Sequence, residues 1–344
     1  MPFQWGIVGA GKISQDFVTA LKTIKSDDGQ CLHEVVAVAS SSLSKSEDFC
    51  RRFGIPVENA LGSYLEIASC ERVQAVYIGT VHPLHLEHAR IAMGAGKAVL
   101  SEKPITVNSR ELKEMIACAK QNNVFLMEAL WSRFLPSYCY IREAISAGAI
   151  GEPLCVNATF GFSMPEGAPI ERLVRKELAG GALLDLGIYV MNVALTAFND
   201  AKPEKIAAAG HLFDSGVDHT VGFTLSFSGG RTATFMVSCN ADLPCEAFIC
   251  GSKGQLKLPK PFWCATEVEH SDGSKKSFPL PATSDPFNFF NSCGLRYEAE
   301  EVRQCVEAGR KESSIMSHEH SLLFMSILDE LRRQVGYSLP QDSA

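Results

Sequence analysis

The 344-residue sequence lacks three features that would each define a class of protein. It has no block of clustered lysine and arginine, and 32 basic against 39 acidic residues leave a formal net charge of −7. That balance argues against nucleic acid or an anionic membrane as a partner. No apolar run reaches the roughly 18 to 20 residues that span a bilayer. No signal-peptide pattern follows Met1, so we expect a cytoplasmic protein.

Paired cysteine motifs and complete sets of metal ligands are also missing. The 12 cysteines are scattered without a C-x-x-C pair, which is typical of reduced thiols in a cytosolic protein. His82, His85 and His88 recur every three residues, but no cysteine or carboxylate set completes a ligand group around them. We therefore predict no metal site.

The pattern of apolar segments predicts two domains, as the length does at about 150 residues per domain. The first third alternates short apolar strands with amphipathic helices, which indicates a doubly wound parallel sheet, the Rossmann architecture. After Pro203 strand follows strand with turn pairs between them, which predicts an α+β domain with a large, mostly antiparallel open sheet. We place the domains at residues 1–128 and 129–344, and expect the C-terminal helix to pack back on the first.

The first strand runs into a glycine-rich loop that suits a pyrophosphate. Gly9-Ala10-Gly11-Lys12-Ile13-Ser14 matches G-x-G-x-x-[G/A] except at Ser14. The first glycine permits a tight turn, the second lets the backbone approach the ligand, and the next helix presents free N–H groups and a positive dipole end. The alternative is an ordinary strand-to-helix turn, but the position between strand one and helix one favours a dinucleotide.

The end of the second strand indicates which dinucleotide binds. NAD-binding proteins place an acidic residue there for the ribose 2′-hydroxyl, whereas this chain has Ser40, Ser41 and Ser42 with Lys45 one turn later. These groups suit a 2′-phosphate, so we predict NADP in preference to NAD. The alternative is that the serines only cap a helix.

Three further side chains are candidates for the chemistry. Lys103 precedes Pro104 after the fifth strand, at the sheet edge where doubly wound folds bind ligands. Asp185 and Tyr189 lie four residues apart in an apolar segment, so on a helix they share a face. A buried polar pair is costly without a purpose. The alternatives are a solvated surface lysine and a Tyr–Asp hydrogen bond that closes a core.

Taken together, these motifs resemble one oxidoreductase family over the whole chain. The loop 9–14, Glu102-Lys103-Pro104 and Asp185-x-Gly187-x-Tyr189 are similar to the glucose–fructose oxidoreductase, inositol dehydrogenase and rhizopine catabolism family. Many members have His at the position of Tyr189, whereas those that oxidise aromatic dihydrodiols and D-xylose have Tyr. Related enzymes carry Arg where this chain has Ser41.

The resemblance implies a mechanism and a set of site residues. Tyr189 would be the general base, Lys103 would lower the pKa of that phenol and bind the substrate oxygen, and Asp185 would orient the site. The cofactor site is expected to comprise Gly9, Gly11, Lys12, Ile13, Ser40, Ser41, Ser42, Lys45, Thr80, His82, Pro83, Glu102, Lys103, Trp131 and Arg133. The substrate is expected to contact His85, Trp131, Asp185, Tyr189, Trp263 and Phe289.

The function implied is NADP-dependent oxidation of aromatic trans-dihydrodiols to catechols, and of D-xylose or related aldoses to lactones. We also expect a homodimer through the outer face of the second-domain sheet. Two alternatives stay open. One is a sugar-exchanging or glycoside-processing relative that keeps its cofactor bound, and the other is a non-catalytic NADP sensor.

Overall fold

The computed structural model describes residues 1–165, 167, 169–283 and 285–343, and divides the chain into two compact units. Unit 1 comprises residues 1–106, 110–131 and 280–321, and unit 2 comprises residues 107–109, 132–279 and 322–344. Segment 280–321 thus belongs to the first unit, whereas the sequence pattern had put it in the second domain. A boundary inferred from the order of elements does not detect a segment that rejoins an earlier unit.

Unit 1 contains a parallel sheet of six strands in the order β3-β2-β1-β4-β5-β6. The strands are β1 (Phe3–Val8), β2 (His33–Ala39), β3 (Ala60–Leu61), β4 (Ala75–Ile78), β5 (Ala98–Glu102) and β6 (Leu126–Ala129). This confirms the predicted doubly wound sheet. β3 was not predicted, because two residues are too few to show a periodicity.

Unit 2 contains an eight-stranded sheet in the order β14-β13-β12-β11-β7-β10-β9-β8. All neighbouring strands are antiparallel except β7 and β10, so the predicted, mostly antiparallel sheet is confirmed. The strands are β7 (Pro153–Gly161), β8 (Lys205–Leu212), β9 (Asp218–Ser226), β10 (Thr232–Ser238), β11 (Ala247–Gly251), β12 (Gln255–Leu258), β13 (Glu267–His270) and β14 (Lys275–Ser277).

The helices of unit 1 alternate with its strands, and in unit 2 helices pack against the sheet. They are α1 (Lys12–Leu21), α2 (Leu43–Phe53), α3 (His85–Gly94), α4 (Ser109–Gln121), α5 (Pro136–Ser146), α6 (Glu171–Val174), α7 (Ile188–Ala197), α8 (Leu295–Glu307) and α9 (His318–Val335). In unit 1 the Phe17 ring of α1 stacks on Tyr77 of β4 with centroids 3.9 Å apart, which fixes the helix against the sheet.

Every residue of α7 is buried, and the helix packs on β7, β10 and β11. The sequence pattern predicts no apolar run of membrane-spanning length, but the stretch Lys176–Ala197 is long and apolar enough to cross a membrane. Within it, 94% of the most apolar window is buried inside the protein, as in a core helix. The opposite face of the sheet is open, since Cys155 and Asn157 of β7 are exposed there while Val156 and Ala158 are buried.

Candidate active site

The phosphate loop of unit 1 has the backbone that its glycines allow. Gly9 has a φ of +97°, and a Cβ there would lie 2.8 Å from the Gly79 carbonyl oxygen. Gly11 is the N-cap of α1, and a Cβ there would meet only that oxygen, at 3.7 Å. The protein itself therefore requires glycine at position 9, whereas the space at position 11 is open to a ligand.

The start of α1 favours an anion at this loop, and its Ser14 packs against Gly79. The helix begins at Lys12 and Ile13, and its first turn contains no acidic residue, so unbonded N–H groups and the positive dipole end face the loop. Ser14, which replaces the third glycine of the motif, is buried, and a Cβ added to Gly79 would overlap its Oγ. Gly79 thus provides the space that the missing glycine would have provided.

At the end of β2, the serines divide into an internal and an external group. The Ser40 hydroxyl is buried, donates to the Ser42 carbonyl oxygen at 2.9 Å and lies 2.9 Å from Ser46 Oγ. Ser41 and Lys45 are exposed, and Lys45 Nζ donates to Ser41 Oγ at 3.0 Å. A lysine held over a hydroxyl, without a carboxylate in residues 40–45, is a suitable environment for an anionic group.

Glu102 anchors the backbone beside Lys103 at the end of β5. The Tyr77 hydroxyl donates to Glu102 Oε1 at 2.6 Å, and the Lys103 backbone N–H donates to Glu102 Oε2 at 3.2 Å. The next part of the segment is held by Glu128, whose Oε1 accepts the Ile105 N–H at 3.0 Å. Two buried carboxylates thus position the backbone that carries the candidate catalytic lysine.

His85, predicted to contact substrate, is fully buried. Its Nδ1 lies 3.0 Å from the Pro104 carbonyl oxygen and its Nε2 lies 3.0 Å from that of Thr80. Burial lowers the pKa of this imidazole. The structure therefore places His85 as a bridge between the loops after β4 and β5. His82 and Pro83 form the turn before α3. Within the described residues, no three His, Cys, Asp or Glu side chains are grouped to hold a metal ion.

In unit 2, Asp185 and Tyr189 lie on the predicted helix, but not on a regular α-helix. Residues Leu183–Gly187 form a π-helical turn that contains Asp185, and Tyr189 lies in the first turn of α7. Such turns occur frequently at functional sites. The sequence did not indicate this irregularity, because its apolar pattern is the same for both helix types.

Tyr189 ends a row of aromatic rings. Its ring lies 5.9 Å from Phe160, and Phe160 stacks on Trp263 with centroids 3.8 Å apart and planes 12° from parallel. Trp263 is one of the predicted substrate contacts, whereas Phe160 is not, since it lies near the end of strand β7, whose apolar residues are typical of a core.

The glycine pair 180–181 allows two chain segments to approach the start of the π turn. A Cβ on Gly180 would lie 2.6 Å from the Leu173 carbonyl oxygen, and a Cβ on Gly181 (φ +106°) would overlap the Asp218 carboxylate. Asp218 Oδ2 accepts the Leu183 N–H at 2.8 Å, and burial raises the pKa of Asp218 to about 7. Asp218 was missed, although the glycine pair signals a close approach.

The other predicted residues are distributed over both units. Trp131 is buried in unit 1. In unit 2, Arg133, predicted to bind the cofactor, is buried and donates to both carboxylate oxygens of Asp200, at 2.9 and 2.7 Å. Phe289 is half-exposed, and its N–H donates to Asp16 of α1 at 3.0 Å, within unit 1.

Comparison with known proteins identifies the family. The family model "Oxidoreductase family, NAD-binding Rossmann fold" matches residues 3–130, and the GFO/IDH/MocA C-terminal domain matches residues 138–257. The chain belongs to the GFO/IDH/MocA oxidoreductase family. It is 46% identical over 343 residues to the trans-1,2-dihydrobenzene-1,2-diol dehydrogenase of Danio rerio, with 100% of both chains covered. It is 40% identical to the enzyme of the same name from Homo sapiens, with 99% of both chains covered.

Solved structures agree with this family membership. A 3-ketoreductase from Actinomadura kijaniata, determined with TDP-benzene and NADP, has a TM-score of 0.78 at 25% identity and covers 97% of this chain and 98% of its own. A levoglucosan dehydrogenase has a TM-score of 0.84 at 20% identity and covers 98% of both chains, which supports the fold alone.

Proposed function

We propose that this chain is an NADP-dependent dehydrogenase that oxidises aromatic trans-dihydrodiols to catechols, and D-xylose or related aldoses to lactones. The observation that carries the proposal is its full-length similarity, at 40 to 46% identity, to enzymes named for a dihydrodiol. A dinucleotide loop on one unit and a buried Asp–Tyr pair on the other are the parts that such a reaction needs.

The aromatic row in unit 2 supports a substrate that contains a ring. The Phe160 ring is stacked on Trp263 and tilted against Tyr189. A substrate ring gains favourable stacked or edge-to-face contacts with such side chains. Asp185, four residues before Tyr189, contributes a carboxylate. Its oxygens can accept hydrogen bonds from the hydroxyls of a diol or a sugar. One site of this composition supports both substrate classes.

The residues divide the chemistry between them. The loop of Gly9 and Gly11 would hold the pyrophosphate of a dinucleotide, which when bound would supply the acceptor for a hydride from the carbinol carbon. Tyr189 takes the hydroxyl proton as general base. The resemblance of the Glu102-Lys103-Pro104 motif gives Lys103 the role of binding the substrate oxygen and of supplying the positive charge that a phenolate base would need. Asp185 holds the substrate hydroxyl in line with the base.

NADP is proposed over NAD because Ser41 and Lys45 form a cationic, hydroxyl-rich site without a carboxylate. A homodimer through the open face of the unit 2 sheet, and a cytoplasmic location, complete the proposal. Gel filtration at micromolar concentration is expected to give about twice the 37.4 kDa chain mass, and a monomer would contradict the dimer.

The direct test is absorbance at 340 nm with purified protein, NADP⁺ or NAD⁺, and separately a trans-dihydrodiol, D-xylose and D-glucose. We expect reduction of NADP⁺ with the dihydrodiol and with xylose. Sugar exchange or glycoside cleavage without net release of NADPH would favour a relative that keeps its cofactor bound. Tight NADP⁺ binding without any turnover would favour a sensor.

A further inference from the structure

A strongly bonded ion pair in unit 2 joins a candidate catalytic carboxylate to an arginine that the family motifs do not include. Arg172 Nη1 donates to Asp185 Oδ1 at 2.9 Å, and Nη2 donates to Oδ2 at 3.2 Å. This fork-to-fork geometry is the most directional of protein ion pairs. The Asp185 side chain is only 9% exposed, whereas that of Arg172 is 45% exposed, so the arginine reaches the carboxylate from the surface side.

The backbone around Arg172 is built to bring it there. Arg172 lies in the short helix α6, and the next carbonyl, that of Leu173, accepts the Gly181 N–H at 2.9 Å. A Cβ on Gly180 would lie 2.8 Å from the Arg172 carbonyl oxygen. The glycine pair therefore lets α6 lie directly on the start of the π turn that carries Asp185.

The backbone of Asp185 is held more firmly than its carboxylate. Asp185 lies in a buried π turn whose first residue, Leu183, donates its N–H to Asp218. Its carboxylate can still rotate about its side-chain torsions, because a terminal sp³–sp² torsion is broad. A bidentate guanidinium fixes the carboxylate plane as well as its position, which a single hydrogen bond does not do.

We propose that Arg172 is a positioning residue that orients the Asp185 carboxylate for the substrate hydroxyl. The inference rests on the proposed function, since it assumes that Asp185 aligns substrate with the base. Arg172 itself is not a catalytic residue in this account and acts through the carboxylate.

Arg175 provides a matched control. It lies three residues further on, its side chain is 44% exposed, and it pairs with Glu171 and Glu177 instead of with Asp185. Arg172→Gln and Arg175→Gln therefore remove the same charge from similarly exposed side chains. Arg172→Lys keeps the charge but loses the fork.

The test is a double-substitution cycle read in steady-state kinetics with the best substrate. Arg172→Gln is expected to lower kcat/KM about 10²-fold, mainly in kcat, since misalignment by about 1 Å has that effect, while NADP⁺ affinity is unchanged. Arg175→Gln should remain within about twofold of the unsubstituted enzyme. In an Asp185→Asn background, Arg172→Gln should have less than about a twofold further effect, because coupled residues are not additive.

Three outcomes would overturn this inference and leave the proposed function unaffected. One is full activity of Arg172→Gln, and another is an equal loss in the Asp185→Asn background, which would show that Arg172 acts independently. If Arg172→Gln does not fold, Arg172→Lys decides, with an expected loss of about tenfold and full activity as the contrary result. An unsubstituted enzyme that oxidises no substrate would overturn the proposed function, and this inference with it.

Discussion

The candidate functional groups of the two units are built in different ways. The phosphate loop of unit 1 presents backbone groups, because the loop at Gly9 and Gly11 and the first turn of α1 offer N–H donors that follow from local conformation. Unit 2 presents side chains, because Asp185 and Tyr189 depend on Arg172, Asp218 and neighbouring rings that lie far away in sequence. A phosphate can be bound by conformation alone, whereas a proton-transfer site requires packed and paired side chains.

The largest expected effect is on the free energy of unfolding, at Gly181 of unit 2, where there is no room for a side chain. Gly181→Ala would force a Cβ into the Asp218 carboxylate at a φ of +106°. We expect a loss of about 4 kcal/mol in the free energy of unfolding, measured by urea denaturation, since it combines strain with a disturbed buried carboxylate. Gly187→Ala is the control, because its Cβ would meet nothing closer than 3.6 Å. Equal stability of both variants would contradict this packing.

The second prediction is that the stability of the protein depends on pH because of Asp218 in unit 2. Burial raises the pKa of Asp218 to about 7 from 3.8, so the folded state holds a proton that the unfolded state releases. Stability should therefore fall as the pH rises from about 4 to 7, by up to about 4 kcal/mol. Asp218→Asn should flatten this part of the stability curve, and Asp214→Asn, at an exposed position, should not. Parallel curves for all three proteins would exclude the role of Asp218.

The same contrast explains how far the sequence predicts the structure. The candidate cofactor residues Gly9 and Gly11 depend on local backbone conformation, and the serines after β2 are close neighbours in sequence, so a motif is enough to predict both. The burial of His85 and Arg133 could not be predicted, because their partners Pro104 and Asp200 are brought close to them by tertiary packing. Arg172 and Asp218 were missed for the same reason, and the π turn was missed because its apolar pattern is that of an α-helix.

A third, smaller effect separates the two glycines of the unit 1 loop. Gly11→Ala should leave the free energy of unfolding within about 0.5 kcal/mol of the original, because its Cβ has 3.7 Å of room. It should nevertheless weaken NADP⁺ binding about tenfold, since the backbone must approach the pyrophosphate closely. Gly9→Ala should lower both stability and affinity. Titration of intrinsic fluorescence measures the affinity, and unchanged binding by Gly11→Ala would argue against a pyrophosphate at this loop.

The smallest effect concerns cofactor choice. Ser41→Arg adds a guanidinium to the Lys45 site, and a charge-assisted bond of about 1.5 kcal/mol corresponds to roughly tenfold tighter binding of NADP⁺. NAD⁺ affinity should change little, because NAD⁺ lacks the 2′-phosphate. Ser44→Arg, on the same exposed turn, is the control. Equal gains for NAD⁺ and NADP⁺ would show that Ser41 does not face the 2′ position.

The central claim is that unit 1 binds the cofactor and unit 2 carries the general base. Tyr189→Phe tests it most directly, with NADP⁺ affinity and dihydrodiol oxidation measured on the same preparation. The account predicts unchanged NADP⁺ binding and a kcat lower by about 10²- to 10⁴-fold, as is usual for removal of a general base. A folded Tyr189→Phe variant that retained its full kcat would contradict the assignment of the base to unit 2.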